Sequence, residues 1–327
     1  MITTFDAFVA AAAFVAPTKG AAHEPVFALG DGTVRFGGRL SIEAHNGAIL
    51  CAVPHPSGVG LVTGGDDGNV KWTTVEGPVT LAKAARGWIN ALAGSAQSGL
   101  IAFATGRSVH VLEAADNTFS RVFEHERTVA SLEFDAKGRR LAAATYGGVV
   151  LWYARIFDQK PQMLKWAGSH LTAVFSPDGR FLLSAMQENA LHGWRLSDGA
   201  DLRMGGYPGK PKSLVFLAKG ALLATSGANG AVVWPFSGGS GPMGKEAAVV
   251  GHDDGTLITC VAAHPSGFLL LAGRSDGRVF KADLKGVGVV TIGDAQGSPI
   301  TAIAVSPDGR SAAWGAEDGS WALVPLD

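Results

Sequence analysis

A short apolar strand followed by a tight turn around Asp-Gly, or a near equivalent, recurs along the whole chain. The turns are Asp31-Gly32, Asp67-Gly68, Gly106-Arg107, Tyr146-Gly147, Glu188-Asn189, Asn229-Gly230, Asp276-Gly277 and Asp318-Gly319, at spacings of 36, 39, 40, 42, 41, 47 and 42 residues. A near-constant period means one supersecondary unit used repeatedly, each copy burying its apolar faces against its neighbours. This overrides the length prior, under which 327 residues suggest two domains. The sequence therefore predicts a single domain over residues 1–327.

Superposed, the units share a plan. Residues 44–74 read AHNGAILCAVPHPSGVGLVTGGDDGNVKWTT, and residues 300–326 read ITAIAVSPDGRSAAWGAEDGSWALVPL. Each has an alternating apolar strand, a Pro/Asp/Ser-Gly turn, a second apolar strand ending in small residues, the Asp-Gly turn, and a third strand. RLSIEA, PVTLAK, SRVFEH, QMLKW, AAVVGH and VVTIGD supply a fourth strand. Four antiparallel strands about every 40 residues is the signature of a β-propeller blade. The composition agrees, with 47% hydrophobic residues, 17% charged residues and 45 glycines. That is a chain of short strands and tight turns, and the opposite of a disordered one.

The repeat resembles the WD-repeat (WD40) family along essentially the whole chain. The resemblance is carried by Gly251-His252 and its relics Ala44-His45 and Glu124-His125. It is carried also by the SPDG turns at 176–179 and 306–309, the Asp-Gly turns and Leu151-Trp152. The departures mark a diverged member. The closing Trp-Asp pair is never intact, since Tyr153 follows Trp152 and Arg195 follows Trp194. In the family, a His, a Ser or Thr, an Asp and a Trp of one unit form a buried hydrogen-bonded network. No unit here keeps all four in register, and the expectation is that apolar packing takes the network's place.

Eight turns over 327 residues give about 41 residues per unit, within the family's spacing. The expected fold is thus all-β, a propeller of eight four-stranded blades, with seven as the alternative. The chain stops after the third strand of its last unit. Residues from Ile2 to about Ala7 are therefore expected to pair with that unit and close the ring, which leaves no open sheet edge.

Bulk properties exclude several functions. With 27 basic and 28 acidic residues the net charge is -1, against the basic excess of a sequence-independent nucleic-acid binder. No apolar run approaches the ~20 residues of a membrane span. FVAAAAFVAP near the start resembles the apolar stretch of a signal peptide, but MITTFDA before it lacks Lys and Arg and contains Asp6. It reads as strand, and the expected compartment is the cytoplasm. Cys51 and Cys260 hold the same place in their units (ILCAV and ITCVA) and read as small buried hydrophobes.

The chain contains no nucleophile elbow, P-loop, His-Glu-x-x-His or Cys-x-x-Cys motif. The nine histidines are not spaced as metal pairs. Asp66-Asp67-Gly68 and Asp253-Asp254-Gly255 fall short of a calcium loop and fit turn chemistry better. The chain is accordingly expected to be no enzyme and to hold no metal or cofactor.

WD propellers commonly bind partners on the face carrying the loop before each first strand and the turn between second and third strands. By register, the resemblance selects Trp88 and Asn90, Lys210 and Lys212, and the turn residues Asp66, Tyr146, Arg274 and Glu317. Trp, Tyr and Arg are frequent interface anchors. The expected role is a scaffold, monomeric on its own, that docks a partner protein or peptide on this face. The alternative is a small-molecule or metal-binding propeller enzyme that uses the central channel.

Overall fold

The computed structural model describes residues 3–116, 118–286 and 288–326, and all regular structure there is β except one 3-10 turn at Ala218–Gly220. The chain forms two compact units, residues 7–173 and residues 174–327 with 1–6. No helix among the described residues is long and apolar enough to cross a membrane.

In the 7–173 unit, residues 9–43, 49–83 and 91–124 each make a four-stranded sheet whose strands pair in chain order. The FVAAAAFVAP stretch supplies Val9–Val15, the first strand, which pairs antiparallel with Glu24–Leu29. In the other unit, residues 214–250 and 258–293 form two further four-stranded sheets. Residues 300–325 give three strands, and the fourth is Thr3–Thr4, aligned with Trp321 and Ser320. The expected pairing of the two ends of the chain is present there, although Ile2 lies outside the described residues.

The seventh sheet, over residues 129–204, has six elements, and two of them, Arg140–Tyr153 and Gln162–Phe175, are 14 residues long. Arg140–Tyr153 folds back on itself. Val129–Phe134 pairs with its residues 141–145, and the Ala154 amide donates to the Arg139 carbonyl at 2.9 Å, across a bend at Tyr146–Gly148. Its far half, residues 146–151, aligns with residues 162–169.

The second strand of each sheet is buried on both faces, which is why it reads as a continuous apolar run. Leu61–Gly65 and Phe181–Met186 are buried throughout. Successive sheets meet face to face over apolar clusters. Val15, Val26, Ile49 and Leu61 make one, and Val62, Ile89, Ile101 and Phe103 make the next. In the other unit Leu217, Ile258 and Leu270 pack together, as do Cys260, Ile300 and Trp314.

The small residues ending the second strand have a steric cause. A Cβ on Gly64 would lie 2.5 Å from Ile89 Cγ2 and 2.9 Å from Cys51 Sγ. On Gly273 it would lie 2.6 Å from Ile300 Cγ2 and 3.0 Å from Cys260 Sγ. The isoleucine that opens the next sheet thus fills the space the glycine leaves, beside a cysteine, in two separate places. Burial pushes both thiols up to about 12.

The turns follow their sequence signals. Ser176 Oγ donates to Asp178 at 2.7 Å and accepts the Phe181 amide at 2.9 Å, and Ser306 does the same with Asp308 and the Ser311 amide. In the Asp-Gly turns, Asp31, Asp67, Asp276 and Asp318 each accept the amide two residues on. Asp-Gly thus works as turn chemistry.

Apolar packing does not wholly replace the polar network. His45 Nδ1 lies 3.0 Å from Asp67 and its Nε2 lies 2.8 Å from Thr63 Oγ1, so one unit keeps three of the four groups. Thr73 stands two residues after Lys71, where a Trp would complete the set. In another unit Trp152 Nε1 donates to His125 Nε2 at 3.0 Å. The expectation of an apolar replacement is corrected to this extent: a buried polar group persists where enough partners remain to satisfy it.

Candidate functional site

A groove of about 850 Å³ lies around the Tyr146 bend in the 7–173 unit. Its floor includes Trp152, and its sides include Tyr146, Met163 and Trp166, with Glu126 and Arg127 at one end. The site follows from the local fold. The hairpin within Arg140–Tyr153 brings Tyr146 to the bend and Trp152 to the third strand. Gln162–Phe175 then lays Met163 and Trp166 alongside.

The floor is fixed. His125 Nε2 accepts the Trp152 indole N–H, so its proton sits on Nδ1, which donates to the Arg107 carbonyl at 3.2 Å. Burial lowers the His125 pKa, so the ring is neutral and keeps the lone pair this arrangement needs. The Trp152 ring also packs on Phe123 at 4.4 Å. The rim is open, with Tyr146 62% and Met163 40% exposed. Beyond it, Arg121 donates to the carbonyls of Tyr153, Ile156 and Phe157 and lies 4.8 Å from the Phe157 ring centroid, which pins the loop between third and fourth strands.

Glu124 is engaged by the Ser108 hydroxyl at 2.9 Å. Glu126 and Arg127 are exposed and make no ion pair with any described residue. The groove therefore offers an aromatic bed with one free acid, Glu126, and two free bases, Arg127 and Lys165. Among the described residues no group of three or more His, Cys, Asp or Glu could hold a metal.

The other sequence-selected residues fall into two kinds. Trp88 is 65% exposed, and Asp66, Lys210, Lys212 and Glu317 are exposed as well. Asn90 and Arg274 are built into the framework instead. Asn90 Nδ2 donates to the Val129 carbonyl at 2.8 Å and ties two sheets together. Arg274 is only 5% exposed, and its guanidinium donates to Thr256 Oγ1 at 2.8 Å and to the carbonyls of Asn229 and Gly251, over the Phe280 ring. Its place as an exposed anchor is corrected: the side chain turns inward to hold its own loop. Asp66, Trp88, Asn90 and Tyr146 belong to the 7–173 unit, while Lys210, Lys212, Arg274 and Glu317 belong to the other.

The register argument missed Trp152, Met163 and Trp166 as groove residues. Their signal lies in LWY, which carries the family resemblance, and in QMLKW, a fourth strand: two aromatic-bearing strands of one unit.

The family model described as WD domain, G-beta repeat (WD40) matches residues 39–72 and 244–280. Over these two stretches the chain carries WD repeats. The first match spans His45, Thr63 and Asp67, and the second spans Gly251-His252 and Asp276. No curated protein matches the chain. Among solved structures it is similar to the computationally designed Ika8 protein, with a TM-score of 0.77 and 19% identity, covering 99% of this chain and 98% of that one. It is similar also to the β-propeller domain of Cps50 (Swd1) from Myceliophteria thermophila, with a TM-score of 0.66 and 16% identity, covering 85% and 97%. The chain thus has an all-β propeller fold of four-stranded antiparallel blades.

Proposed function

We propose that this protein is a non-enzymatic scaffold that docks an extended segment of a partner protein in the Tyr146 groove. The observation that supports it is the groove itself, with a locked Trp152 floor, exposed Tyr146 and Met163, and unpaired Glu126 and Arg127 at one end. A rigid aromatic bed with adaptable charged ends binds peptides at low entropic cost. The exposed Trp88, Asp66, Lys210, Lys212 and Glu317 are further contact candidates of the same loop class.

We also read the chain as one domain with eight blades. The support is the hairpin inside Arg140–Tyr153 together with the length of Gln162–Phe175. On this reading, residues 129–166 form one blade, and the strand runs on unbroken into the next, so that one sheet contains two blades.

The test is affinity purification of the tagged protein followed by rebinding of each captured partner in purified form to wild type and to the Tyr146→Ala/Met163→Ala variant. The reading predicts a partner that the variant loses at least tenfold while its melting temperature stays at the wild-type value. A partner bound equally well by both proteins places the docking surface elsewhere.

A further inference from the structure

A second cavity in the 7–173 unit, of about 500 Å³, lies against the first strands of its sheets. Phe14 comes from Val9–Val15, Val53 and Pro54 from Ile49–Pro54, Leu92 from Ala91–Ser95, and Glu133 from Val129–Phe134. That volume falls within the roughly 300–1,000 Å³ of small-molecule sites. Its walls are mostly apolar, which is where a single polar group decides what binds.

Glu133 is that group. Leu132 and Phe134 on either side of it turn into the apolar cluster between sheets. Strand alternation therefore sends Glu133 to the opposite face, toward the cavity. It is the one carboxylate among the lining residues, which include no Lys or Arg. Its carboxyl makes no hydrogen bond or ion pair with any described residue. Ser131, on the same face two residues earlier, has a buried hydroxyl that is likewise unpartnered among the described residues.

The two histidines of the lining do not neutralise Glu133. His55 Nδ1 is paired with Ser57 Oγ at 2.7 Å, its ring stacks on Trp72 at 4.3 Å, and burial lowers its pKa, so it is uncharged. His23 lies exposed on the loop before Glu24–Leu29. Burial alone pushes the Glu133 carboxyl up to about 7. A half-buried carboxylate without a counter-charge is unfavourable, and a cation entering the cavity removes that penalty. A metal ion would need several more oxygen or nitrogen ligands than the lining supplies.

We propose that this cavity binds an organic cation, a primary ammonium or guanidinium group on an apolar stem, whose charge pairs with Glu133 while the stem lies on Val53, Pro54 and Leu92. The proposal is independent of the Tyr146 groove, which shares no lining residue with this cavity.

The experiment follows the Glu133 carboxyl directly, by carbon NMR on protein labelled at the glutamate side chains, with Glu133→Gln assigning the resonance. Three probes are titrated: phenethylammonium, its neutral analogue phenethyl alcohol, and an acetylated, amidated Gly-Lys-Gly peptide. The expected result is a saturable fall in the Glu133 apparent pKa, from about 7, with at least one of the two cations and none with the alcohol. Binding of that cation to Glu133→Gln should be weaker by about tenfold or more. Saturation by the free amine identifies a small-molecule ligand, and saturation by the peptide alone identifies a lysine side chain. A carboxyl that titrates identically with both cations present overturns the proposal, and so does equal affinity of wild type and Glu133→Gln. The wild-type titration stands by itself if the variant fails to fold.

Discussion

The indole N–H of Trp234 donates to the phenol oxygen of Tyr207 at 2.7 Å. That oxygen lies 2.7 Å from Thr225 Oγ1, which in turn donates to the Val232 carbonyl at 3.3 Å. The hydrogen bonds run in one direction, from Trp234 through Tyr207 and Thr225 to the backbone. A tyrosine here takes the place that His45 and His125 hold in their own units, with the Thr and Trp partners intact.

Tyr207→Phe leaves the part-buried Trp234 N–H without its acceptor and the buried Thr225 oxygen without its donor, while Thr225 still donates to Val232, at a cost of about 1–3 kcal/mol. Urea unfolding should show that loss. A Trp234→Phe change added to it should cost less than it does alone, because the bond is already gone.

The His45–Asp67 pair makes stability depend on pH. Burial tends to raise the Asp67 pKa, but the hydrogen bonds from His45 and Asn69 outweigh it and hold the carboxyl well below the usual carboxylate range. A depressed folded pKa contributes stability that is present above the unfolded pKa of about 3.9 and is lost as pH falls below it. Asp67→Asn should therefore destabilise by about 1–3 kcal/mol at pH 7. The gap from wild type should narrow steadily below about pH 4. A gap that stays constant with pH would show that Asp67 acts only as a turn residue.

The glycines that receive the neighbouring isoleucines should be intolerant of any side chain. Gly64→Ala and Gly273→Ala force Ile89 or Ile300 to shift and should each cost about 1–3 kcal/mol. Gly205, where nothing lies within 4 Å of an added Cβ, is the control. Gly205→Ala should stay within about 0.5 kcal/mol of wild type by the same denaturation assay.

Cys51 and Cys260 should be inert in the folded protein, since a thiol pushed up to about 12 presents almost no thiolate at neutral pH. A chromogenic disulfide reagent should find neither thiol in the native protein at pH 8 and both after denaturation. Rapid native reaction at either position would mean that its sheet opens far more often than this packing implies.

Much of the architecture could be read from the sequence, because turn chemistry is local. SPDG at 176–179 and 306–309 and the Asp-Gly turns set their bends within four residues, and the structure repeats the same bonds each time. The pairing of the two 14-residue elements was harder to see. The passage through Ala167 and Gly168 has no Pro or Asp-Gly signal to separate one unit's last strand from the next unit's first. The relay through Tyr207 was hidden for another reason: a family pattern searches for histidine, whereas the physical requirement is any buried donor-acceptor that reaches Thr225. Register placed Tyr146 and Arg274 alike in turns between second and third strands. It could not tell that Tyr146 faces water while Arg274 bends back to cap three loop oxygens. Which way a long side chain turns depends on partners contributed by other loops.

The pairing of Thr3–Thr4 with the final strand has a consequence for how the protein is made. Phe5 stacks on Trp321 at 5.2 Å, and its amide donates to the Gly319 carbonyl at 3.0 Å. Thr3–Thr4 therefore has no place to dock until Ser320–Pro325 has been translated as well. At ordinary synthesis rates of about 5–20 residues per second, it waits for many seconds while the sheets after it are already able to form. Pairing Thr3–Thr4 with that strand is a long-range closure, a slow kind of contact to make. Until that happens the nascent chain carries an unsatisfied strand edge at its C-terminal sheet, and this interval is when it is most exposed to chaperones and to mispairing with other copies.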